Sequence, residues 1–277
     1  MNKIEEIVSQ HYAHGSLGAT ILAALGDTTG QTPQALLERL AGIDEFHVGG
    51  RAATAELAAQ LQLSPGLSVL DIGCGLGGTA RFLAVAHGCD VTGIDITAEY
   101  VETGNILNAK LGLQERISLR CASALELPFP PARFDRATML HVGMNIPDKA
   151  ALFTQIARVL KPGGVLAVYD VMRLGDGPLT YPVPWAADEA TSFLDTPAGY
   201  RGALAAAGME VVVESNQREM ALDFFAKVRE RMAQAAPPPL GLHVLMGAEA
   251  RQKLANLAAG VEAGVIAPVR MLARRNM

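Results

Sequence analysis

The sequence predicts an α/β protein whose strands form a doubly wound, parallel sheet. From residue 67 onward, short apolar runs of strand length alternate with amphipathic stretches of helix length. The first of these runs ends in a glycine-rich turn that leads directly into a helical pattern. Half of the 277 residues are hydrophobic and 18% are charged, so the chain can fill a large core.

Residues 1–63 are predicted to form a helical segment that precedes this alternation and covers the sheet as a lid. Thr32 suits a helix cap and Pro33 the first helical turn, where the missing N–H of proline costs nothing. The last helix of the segment ends at Ser64-Pro65-Gly66. A second unit is then predicted over residues 64–277.

Five strands are predicted in the core of that unit, residues 67–171, and two more after it. The core strands are Leu67–Asp71, Asp90–Asp95, Ile117–Cys121, Phe134–Leu140 and Val165–Val171. A loop rich in glycine and proline is predicted over 172–195. A sixth strand, Met209–Glu214, is followed by a helical insertion over 217–260 and by a last edge strand, Val265–Leu272.

Charge and cysteine usage exclude several classes of partner. The formal net charge of −5 argues against nucleic acid, and the basic cluster Arg270, Arg274 and Arg275 is interpreted as a solvated end. The three scattered cysteines lack the spacing of metal ligands, so no metal is predicted. An acidic N-terminus and the lack of a long apolar run predict a cytoplasmic protein with no leader and no membrane span. Both a monomer and a homodimer are compatible with the sequence.

The stretch VLDIGCGLGG indicates what kind of ligand is bound. The spacing of Gly73, Gly75 and Gly78 satisfies a dinucleotide turn, and the lack of a lysine excludes a phosphate-binding loop. Asp71 precedes these glycines at the strand tip, where a carboxylate repels a pyrophosphate but attracts an amine. Asp95 ends the next strand and can accept both ribose hydroxyls. This pair of acids fits S-adenosylmethionine better than NAD.

Four segments resemble the class I S-adenosylmethionine-dependent methyltransferases in order and spacing: VLDIGCGLGG, GIDIT, ALELPFPPARFD and ARVLKPGGVLAVYD. The resemblance implies a Rossmann-like, seven-stranded sheet and methyl transfer to a small-molecule acceptor, with S-adenosylhomocysteine as product. It also implies a set of cofactor contacts: Asp71, Gly73, Gly75 and Gly77 at the methionine part, Asp95 at the ribose, and Ile96 with Ser123 or the backbone of Ala124 at the adenine.

Two further segments, DEFHVGGRAAT and MLHVGMNIPDK, give a narrower resemblance. They are similar to bacterial sarcosine/dimethylglycine N-methyltransferases and, more distantly, to phosphoethanolamine N-methyltransferases. This resemblance implies that His47 and Gly49 lie at the methionine end of the cofactor and that Arg136 contacts the cofactor. It also implies that His141, at the end of the fourth strand, is the catalytic base and that Tyr12 is its tyrosine partner.

The acceptor site is predicted from the loop and the insertion that follow the core. We expect Tyr181 and Trp185 to line it, together with His141, Met144 and His243. The first acceptor hypothesis is an amine such as sarcosine or dimethylglycine. The apolar insertion and the lack of convergent arginines favour an alternative, C- or O-methylation of an apolar phenolic or isoprenoid compound. A non-catalytic S-adenosylmethionine-binding protein and a methyltransferase that acts on a macromolecule are the remaining hypotheses.

Overall fold

The computed structural model describes residues 1–234 and 238–277 and contains a seven-stranded sheet. The strands are β1 (Ser68–Ile72), β2 (Asp90–Asp95), β3 (Ile117–Cys121), β4 (Phe134–Leu140), β5 (Leu160–Arg173), β6 (Met209–Asn216) and β7 (Ile266–Arg275). The predicted fold class is confirmed, and each of the seven predicted strands is present.

The strand order in the sheet is β3-β2-β1-β4-β5-β7-β6, and neighbours among the first five strands run parallel. β7 runs antiparallel to both β5 and β6. The prediction that the last strand lies at the edge is therefore wrong, because β7 is inserted between β5 and β6. Burial gives the physical reason: most of β7 is buried, whereas β6 alternates between exposed and more buried residues, as an edge strand with one solvated face does.

Helices cover the sheet. They are α1 (Lys3–Tyr12), α2 (Leu17–Leu25), α3 (Pro33–Asp44), α4 (Gly50–Gln60), α5 (Gly78–His87), α6 (Ala98–Lys110), α7 (Lys149–Val159), α8 (Pro197–Ala206), α9 (Arg218–Gln234), α10 (Leu242–Met246) and α11 (Ala250–Glu262). The first four form the predicted helical N-terminus, and the last three form the insertion before β7. Thr32 caps α3 by accepting a hydrogen bond from the Ala35 N–H at 3.2 Å. Within the predicted insertion over 217–260, residues 235–237 lie outside the described residues.

A buried ion pair fixes the N-terminal segment against the helix that follows the glycine-rich turn. Arg81 of α5 is fully buried and donates hydrogen bonds to both carboxylate oxygens of Asp44, at the end of α3. It also donates to Asn108 of α6 at 2.9 Å. Gly78 permits the close approach, because a Cβ there would collide with the Asp44 backbone. The end of α3 is therefore held beside the carboxyl end of β1.

The C-terminal arginines do not form a solvated cluster, so that interpretation is wrong. Arg270 pairs with Glu56 at 2.6 Å and its side chain is only 11% exposed. Arg275 donates a hydrogen bond to the Leu160 carbonyl, and Arg274 alone of the three is exposed. Within residues 1–234 and 238–277, none of the helices has the length and apolarity that crossing a membrane would demand.

Candidate cofactor and acceptor site

A large cavity opens at the carboxyl ends of β1, β2 and β4, under the N-terminal helices. Its cavity volume is about 140 Å³, whereas a single water needs roughly 10–15 Å³. Its walls come from α1, the end of α3, the turn after β1, and the first residues after β2, β3 and β4. In open α/β sheets, ligands bind at this edge where the strand order reverses, which here is between β1 and β4.

The turn after β1 presents bare backbone to this cavity. Gly73 and Gly75 both line it, with φ angles of +65° and +53° that side chains disfavour. A Cβ on Gly73 would collide with the side chain of Val142. A ligand can therefore approach the main chain closely at Gly75, whereas Val142 fills the Cβ position of Gly73.

Asp95, at the end of β2, lines the cavity and is held by backbone donors. Its Oδ2 accepts a hydrogen bond from the Gly75 N–H at 2.9 Å, and its Oδ1 accepts one from the Thr97 N–H at 2.8 Å. Each carboxylate oxygen can accept a second hydrogen bond. Asp95 thus links the glycine turn to the start of α6 and retains capacity for two ligand hydroxyls. Ile96 lies next to it in the cavity wall.

Asp71, near the end of β1, has a carboxylate oxygen without a partner. The side chain is buried; Oδ1 accepts a hydrogen bond from Thr138 at 2.7 Å, whereas no described residue bonds to Oδ2. Burial raises the pKa of Asp71 to about 7; the Thr138 hydrogen bond opposes this shift and the charge of Asp95 adds to it. An ammonium group would satisfy the orphaned oxygen and stabilise its charge. The residues present therefore fit the amino group of S-adenosylmethionine.

Where the adenine is expected to bind, Ala124 lines the cavity and Ser123 does not. Ser123 donates its hydroxyl proton to Glu5 of α1 and accepts a hydrogen bond from the Leu125 N–H at 3.0 Å. Glu5 and Asn2 reach the cavity from α1. The adenine contact expected of the Ser123 side chain is therefore not supported by this geometry, whereas the alternative at Ala124 is compatible with it.

His141 follows β4 and lines the cavity in a left-handed backbone conformation, with φ of +55°. Its backbone N–H donates to the Tyr169 carbonyl at 2.7 Å, which fixes the backbone. The ring nitrogen Nε2 is buried and has no hydrogen-bond partner among the described residues. Burial, with a contribution from His47, lowers the pKa of His141 well below its ordinary value. The imidazole is therefore neutral at pH 7 and can accept a proton.

His47 is held beside His141 by a buried polar network. Its Nε2 lies 3.0 Å from Oε2 of Glu45 and 3.0 Å from the hydroxyl of Thr54, which itself donates to Glu45 at 2.6 Å. Arg51 also pairs with Glu45. Burial raises the pKa of Glu45, but the hydrogen bond from His47 and the nearby positive charges outweigh it and bring the pKa to about 2. The ionised Glu45 thus orients the His47 ring 5.8 Å from that of His141.

Tyr12 lines the same cavity, but it does not form the expected pair with His141. Its hydroxyl donates to Oδ1 of Asn145 at 3.1 Å, and the amide of Asn145 donates to the Trp185 carbonyl at 2.8 Å. The tyrosine beside His141 is Tyr169 of β5, whose ring centroid lies 5.3 Å away. The assignment of Tyr12 as partner of His141 is therefore corrected by this geometry.

Three residues expected to contact the cofactor lie outside the cavity walls. Arg136 occupies the amino-terminal part of β4, far from the carboxyl end, and donates to the Leu61 and Asp135 carbonyls. Gly49 caps α4 and lies against Ala53 and Met220, while Gly77 caps α5 and lies against Leu119 and Arg81. Arg136 therefore lies at the end of β4 away from the cavity, and the two glycines serve as the N-caps of α4 and α5.

Most of the predicted acceptor residues also lie outside the cavity walls. His141 is the one member of that predicted set that lines a cavity. Met144 and Trp185 are buried in one apolar cluster, and Tyr181 packs against that cluster. The Trp185 indole N–H donates to Ser192 at 2.9 Å, which anchors the loop. His243 is exposed. The expectation that these four residues line the acceptor pocket is not supported, because the apolar ones serve packing and the histidine faces solvent.

Sequence reasoning missed Asn145, Tyr169 and Glu45. Asn145 and Glu45 are polar residues close to motif histidines, in HVGMN and EFH, and that proximity is the available signal. Tyr169 lies in an apolar strand and contacts His141 through the pairing of β4 with β5, where Leu140 lies opposite Tyr169. No local pattern reveals such a contact before the strand order is known.

Comparison with known proteins agrees with this architecture. Residues 70–168 match a family model described as a methyltransferase domain. Over 119 residues the chain is 41% identical to the 27-O-demethylrifamycin SV methyltransferase of Amycolatopsis mediterranei, covering 43% of this chain and 44% of that protein. The fold resembles geranyl diphosphate C-methyltransferase from Streptomyces coelicolor A3(2), with a TM-score of 0.71, 17% identity and coverage of 99% and 98%. It also resembles a proposed sarcosine dimethylglycine methyltransferase from Galdieria sulphuraria, with a TM-score of 0.65, 22% identity and coverage of 81% and 85%.

The matched segment and the sheet order show that the chain contains a class I S-adenosylmethionine-dependent methyltransferase domain, with S-adenosylmethionine as its cofactor. The predictions of this domain class and cofactor are confirmed. The chain spans about half the length, or less, of the curated relatives it matches, with 48%, 28% and 30% for three of them. The family match ends at residue 168, before the loop and the insertion.

Proposed function

We propose that the protein transfers the methyl group of S-adenosylmethionine to a hydroxyl group of an uncharged, mainly apolar small molecule. The observation that carries this proposal is the position of His141. It is a neutral histidine with an unpartnered ring nitrogen, and it shares one cavity with Asp71 and Asp95. Methylation of a hydroxyl oxygen needs a base close to the bound cofactor, and this cavity would hold both.

The chain's own groups would hold the cofactor in one orientation. Asp71 would receive the ammonium group, the backbone of Gly73 and Gly75 the methionine part, and Asp95 the ribose hydroxyls. Ala124 would meet the adenine from the side wall. When bound, S-adenosylmethionine supplies an electrophilic methyl group on a cationic sulfur.

Methyl transfer is an in-line displacement, so positioning of the acceptor oxygen makes a large contribution to the rate. The O–C bond forms as the S–C bond breaks, and the hydroxyl proton passes to an imidazole nitrogen of His141. His141 must be unprotonated to accept that proton, and its lowered pKa keeps it so at neutral pH. His47, held by Glu45 with its ring 5.8 Å from that of His141, contributes to this lowering of the His141 pKa.

The charge of the cavity lining favours an uncharged acceptor. Among the described residues that line it there is no lysine or arginine, whereas the carboxylates of Glu5, Asp44, Asp71 and Asp95 do line it. The carboxylate of sarcosine or dimethylglycine would find no cation there, and a diphosphate would be repelled. The relative that acts on 27-O-demethylrifamycin SV supports a hydroxyl acceptor.

The test is incubation with S-adenosylmethionine labelled in its methyl group and a panel of alkylphenols, sarcosine and dimethylglycine. We expect the label in alkyl aryl ethers and not in the amines. His141→Gln should lower kcat roughly 10²- to 10⁴-fold, because general base catalysis contributes about that much. Its affinity for S-adenosylhomocysteine should stay within about twofold, and His87→Gln, a histidine at the far end of α5, is the matched control.

Three results would contradict the proposal. Cofactor binding with no transfer to any acceptor would favour a non-catalytic binding protein. Label in the amines alone would restore the amine hypothesis. Full activity of the His141→Gln variant would show that His141 is not the general base.

A further inference from the structure

Asp170, near the carboxyl end of β5, is a buried carboxylate that the proposed function leaves unused. Its side chain is fully buried and lies outside the walls of the large cavity. Oδ1 accepts a hydrogen bond from the Val142 N–H at 2.8 Å, and Oδ2 accepts one from the Gly143 N–H at 3.1 Å. A third donor, the hydroxyl of Tyr200 in α8, lies 2.9 Å from Oδ2. Burial of a carboxylate is costly unless such donors compensate it, so Asp170 and the turn after β4 depend on each other.

The two backbone donors directly follow His141, the candidate base. His141 has a φ of +55°, a left-handed conformation that residues other than glycine adopt only where their surroundings impose it. Its own N–H donates to the carbonyl of Tyr169, the residue before Asp170. Consecutive residues of β5 therefore hold consecutive N–H groups of the turn, and the bonds to Val142 and Gly143 depend on the Asp170 side chain.

The same turn packs against the place proposed for the cofactor. The side chain of Val142 fills the space that a Cβ on Gly73 would occupy, so it lies directly against the glycine turn. Val142, Gly73 and His141 all line the large cavity. The bond from the Val142 N–H to Asp170 thus fixes how the turn after β4 lies against the turn after β1. It also sets the separation of His141 from the place proposed for the methionine part of the cofactor.

Asp170 is ionised at neutral pH despite its burial. Lys149 of α7 and Tyr200 of α8 are the titratable residues that face it from these two helices, and the Lys149 ammonium lies 5.7 Å from the centre of the Tyr200 ring. Burial raises the pKa of Asp170 to about 6, against the opposing effects of the Val142 N–H, the Tyr200 hydroxyl and the Lys149 charge. At pH 7 the carboxylate is therefore mostly ionised and can accept from both backbone donors at once.

We propose that Asp170 is a positioning residue for methyl transfer, which holds His141 in place relative to the cofactor by binding the N–H groups of Val142 and Gly143. The inference rests on the proposed function, in which His141 is the base, and adds a residue that acts through it. A structural role alone would affect only the stability of the protein. A positioning role predicts in addition that kcat falls while the cofactor binds as before, because a misplacement of about 1 Å can lower a rate about 100-fold.

The test compares the wild-type protein with Asp170→Asn, which keeps the shape of the side chain but turns an amide N–H₂ group towards one of the backbone donors. In crystal structures of both proteins with S-adenosylhomocysteine, the His141 ring of the variant should be displaced by about 1 Å or more relative to the cofactor sulfur. With labelled S-adenosylmethionine and 4-propylphenol, kcat should fall about 100-fold, and KM for S-adenosylmethionine should stay within about threefold. Asp176→Asn, at an exposed position in the loop after β5, is the matched control.

Tyr200→Phe is a second, milder variant, which keeps both backbone bonds and removes one donor from Asp170. Loss of that donor raises the pKa of Asp170, so the acid limb of kcat should move to higher pH. The profile is measured at saturating S-adenosylmethionine, so that the ammonium group of the cofactor keeps Asp71 ionised. At pH 8, where Asp170 is ionised, kcat should stay within about threefold of the wild-type value.

Two results would overturn the inference. One is an unmoved His141 in the complex of Asp170→Asn, and the other is an acid limb of Tyr200→Phe that coincides with that of the wild-type protein. If Asp170→Asn does not fold, the pH profile of Tyr200→Phe decides the question. If no alkylphenol accepts the label, the proposed function fails, and the position of His141 in the two crystal structures still decides whether Asp170 holds it.

Discussion

The cofactor end and the acceptor end of the site are built in different ways. At the cofactor end, one stretch from Asp71 to Thr97 supplies the glycine turn, both carboxylates and the N–H groups that hold Asp95. The end around His141, where we propose that the acceptor binds, joins Phe46, His47, the end of β4 and Tyr169 of β5. Local backbone geometry fixes the first, whereas the second depends on packing between segments that are distant in sequence.

This difference implies a division of labour that substitutions can break. Changes at the cofactor end should alter affinity for every ligand that contains the nucleoside, whatever the acceptor. Changes at the acceptor end should alter acceptor choice and turnover while binding of S-adenosylhomocysteine stays constant. A substitution at one end that has the effect expected of the other would show that the two ends are a single unit.

The largest effect on cofactor binding is expected from Asp95→Ala. It removes two charge-assisted hydrogen bonds to the turn and to α6, each worth roughly 1.5–3 kcal/mol, as well as the ribose contacts. We expect affinity for S-adenosylhomocysteine to fall at least about 100-fold by calorimetry. Asp90→Ala, at the exposed start of the same strand, loses a surface pair with Arg116 and should change little. Equal affinities in the two variants would refute the ribose assignment.

The pH dependence of cofactor affinity tests Asp71. Its pKa is raised to about 7 in the ligand-free protein, so the carboxylate is mostly ionised at pH 8 and mostly protonated at pH 6. An ammonium group needs the ionised form, so affinity for S-adenosylhomocysteine should fall about tenfold as the pH drops from 8 to 6. Binding of 5′-methylthioadenosine, which lacks the ammonium group, should not change with pH. Asp71→Asn should bind S-adenosylhomocysteine weakly and equally at both values, and a persistent slope would assign the titration to another group.

A smaller effect is expected at the acceptor end from Glu45→Gln. It leaves Arg51 and His47 without a buried carboxylate, so the free energy of unfolding should fall by about 2–3 kcal/mol in urea titrations. Turnover should also fall while affinity for S-adenosylhomocysteine stays within about twofold, because the His47 ring beside His141 loses the carboxylate that orients it. Glu38→Gln on the exposed face of α3 is the control. Unchanged turnover would show that the network has a structural role alone.

The smallest effect is expected from His243→Ala. The side chain is exposed and lies outside the cavity lining. Turnover and acceptor affinity should both stay within about twofold of the unsubstituted protein in steady-state assays. A tenfold loss would return His243 to the acceptor site.

The sequence alone is sufficient to predict the strand–turn–helix unit that holds the glycine turn. The positions of Asp71, Gly73 and Asp95 follow from it, because a strand of known end and a turn of known length determine which side chains lie at the sheet edge. The same reasoning located His141 at the end of β4. It could not order the last two strands, because β7 pairs with both β5 and β6, and strand pairing is a long-range property.

Side-chain partners across separate segments could not be predicted in the same way. Tyr12 was assigned to His141 through resemblance, yet the chain brings it to Asn145, while Tyr169 reaches His141 across neighbouring strands. An aromatic residue in a loop, such as Trp185, is expected to line a cavity. The structure instead buries Trp185, where it anchors the loop through Ser192. Such outcomes depend on which segments pack together, and residue type gives little information about that.

The most direct test of the central claim is a crystal structure of the complex with S-adenosylhomocysteine. We expect the amino group on Oδ2 of Asp71, the ribose hydroxyls on Asp95, and the sulfur facing the wall formed by Phe46, His47 and His141. A ribose placed away from Asp95, or a sulfur turned away from His141, would contradict it.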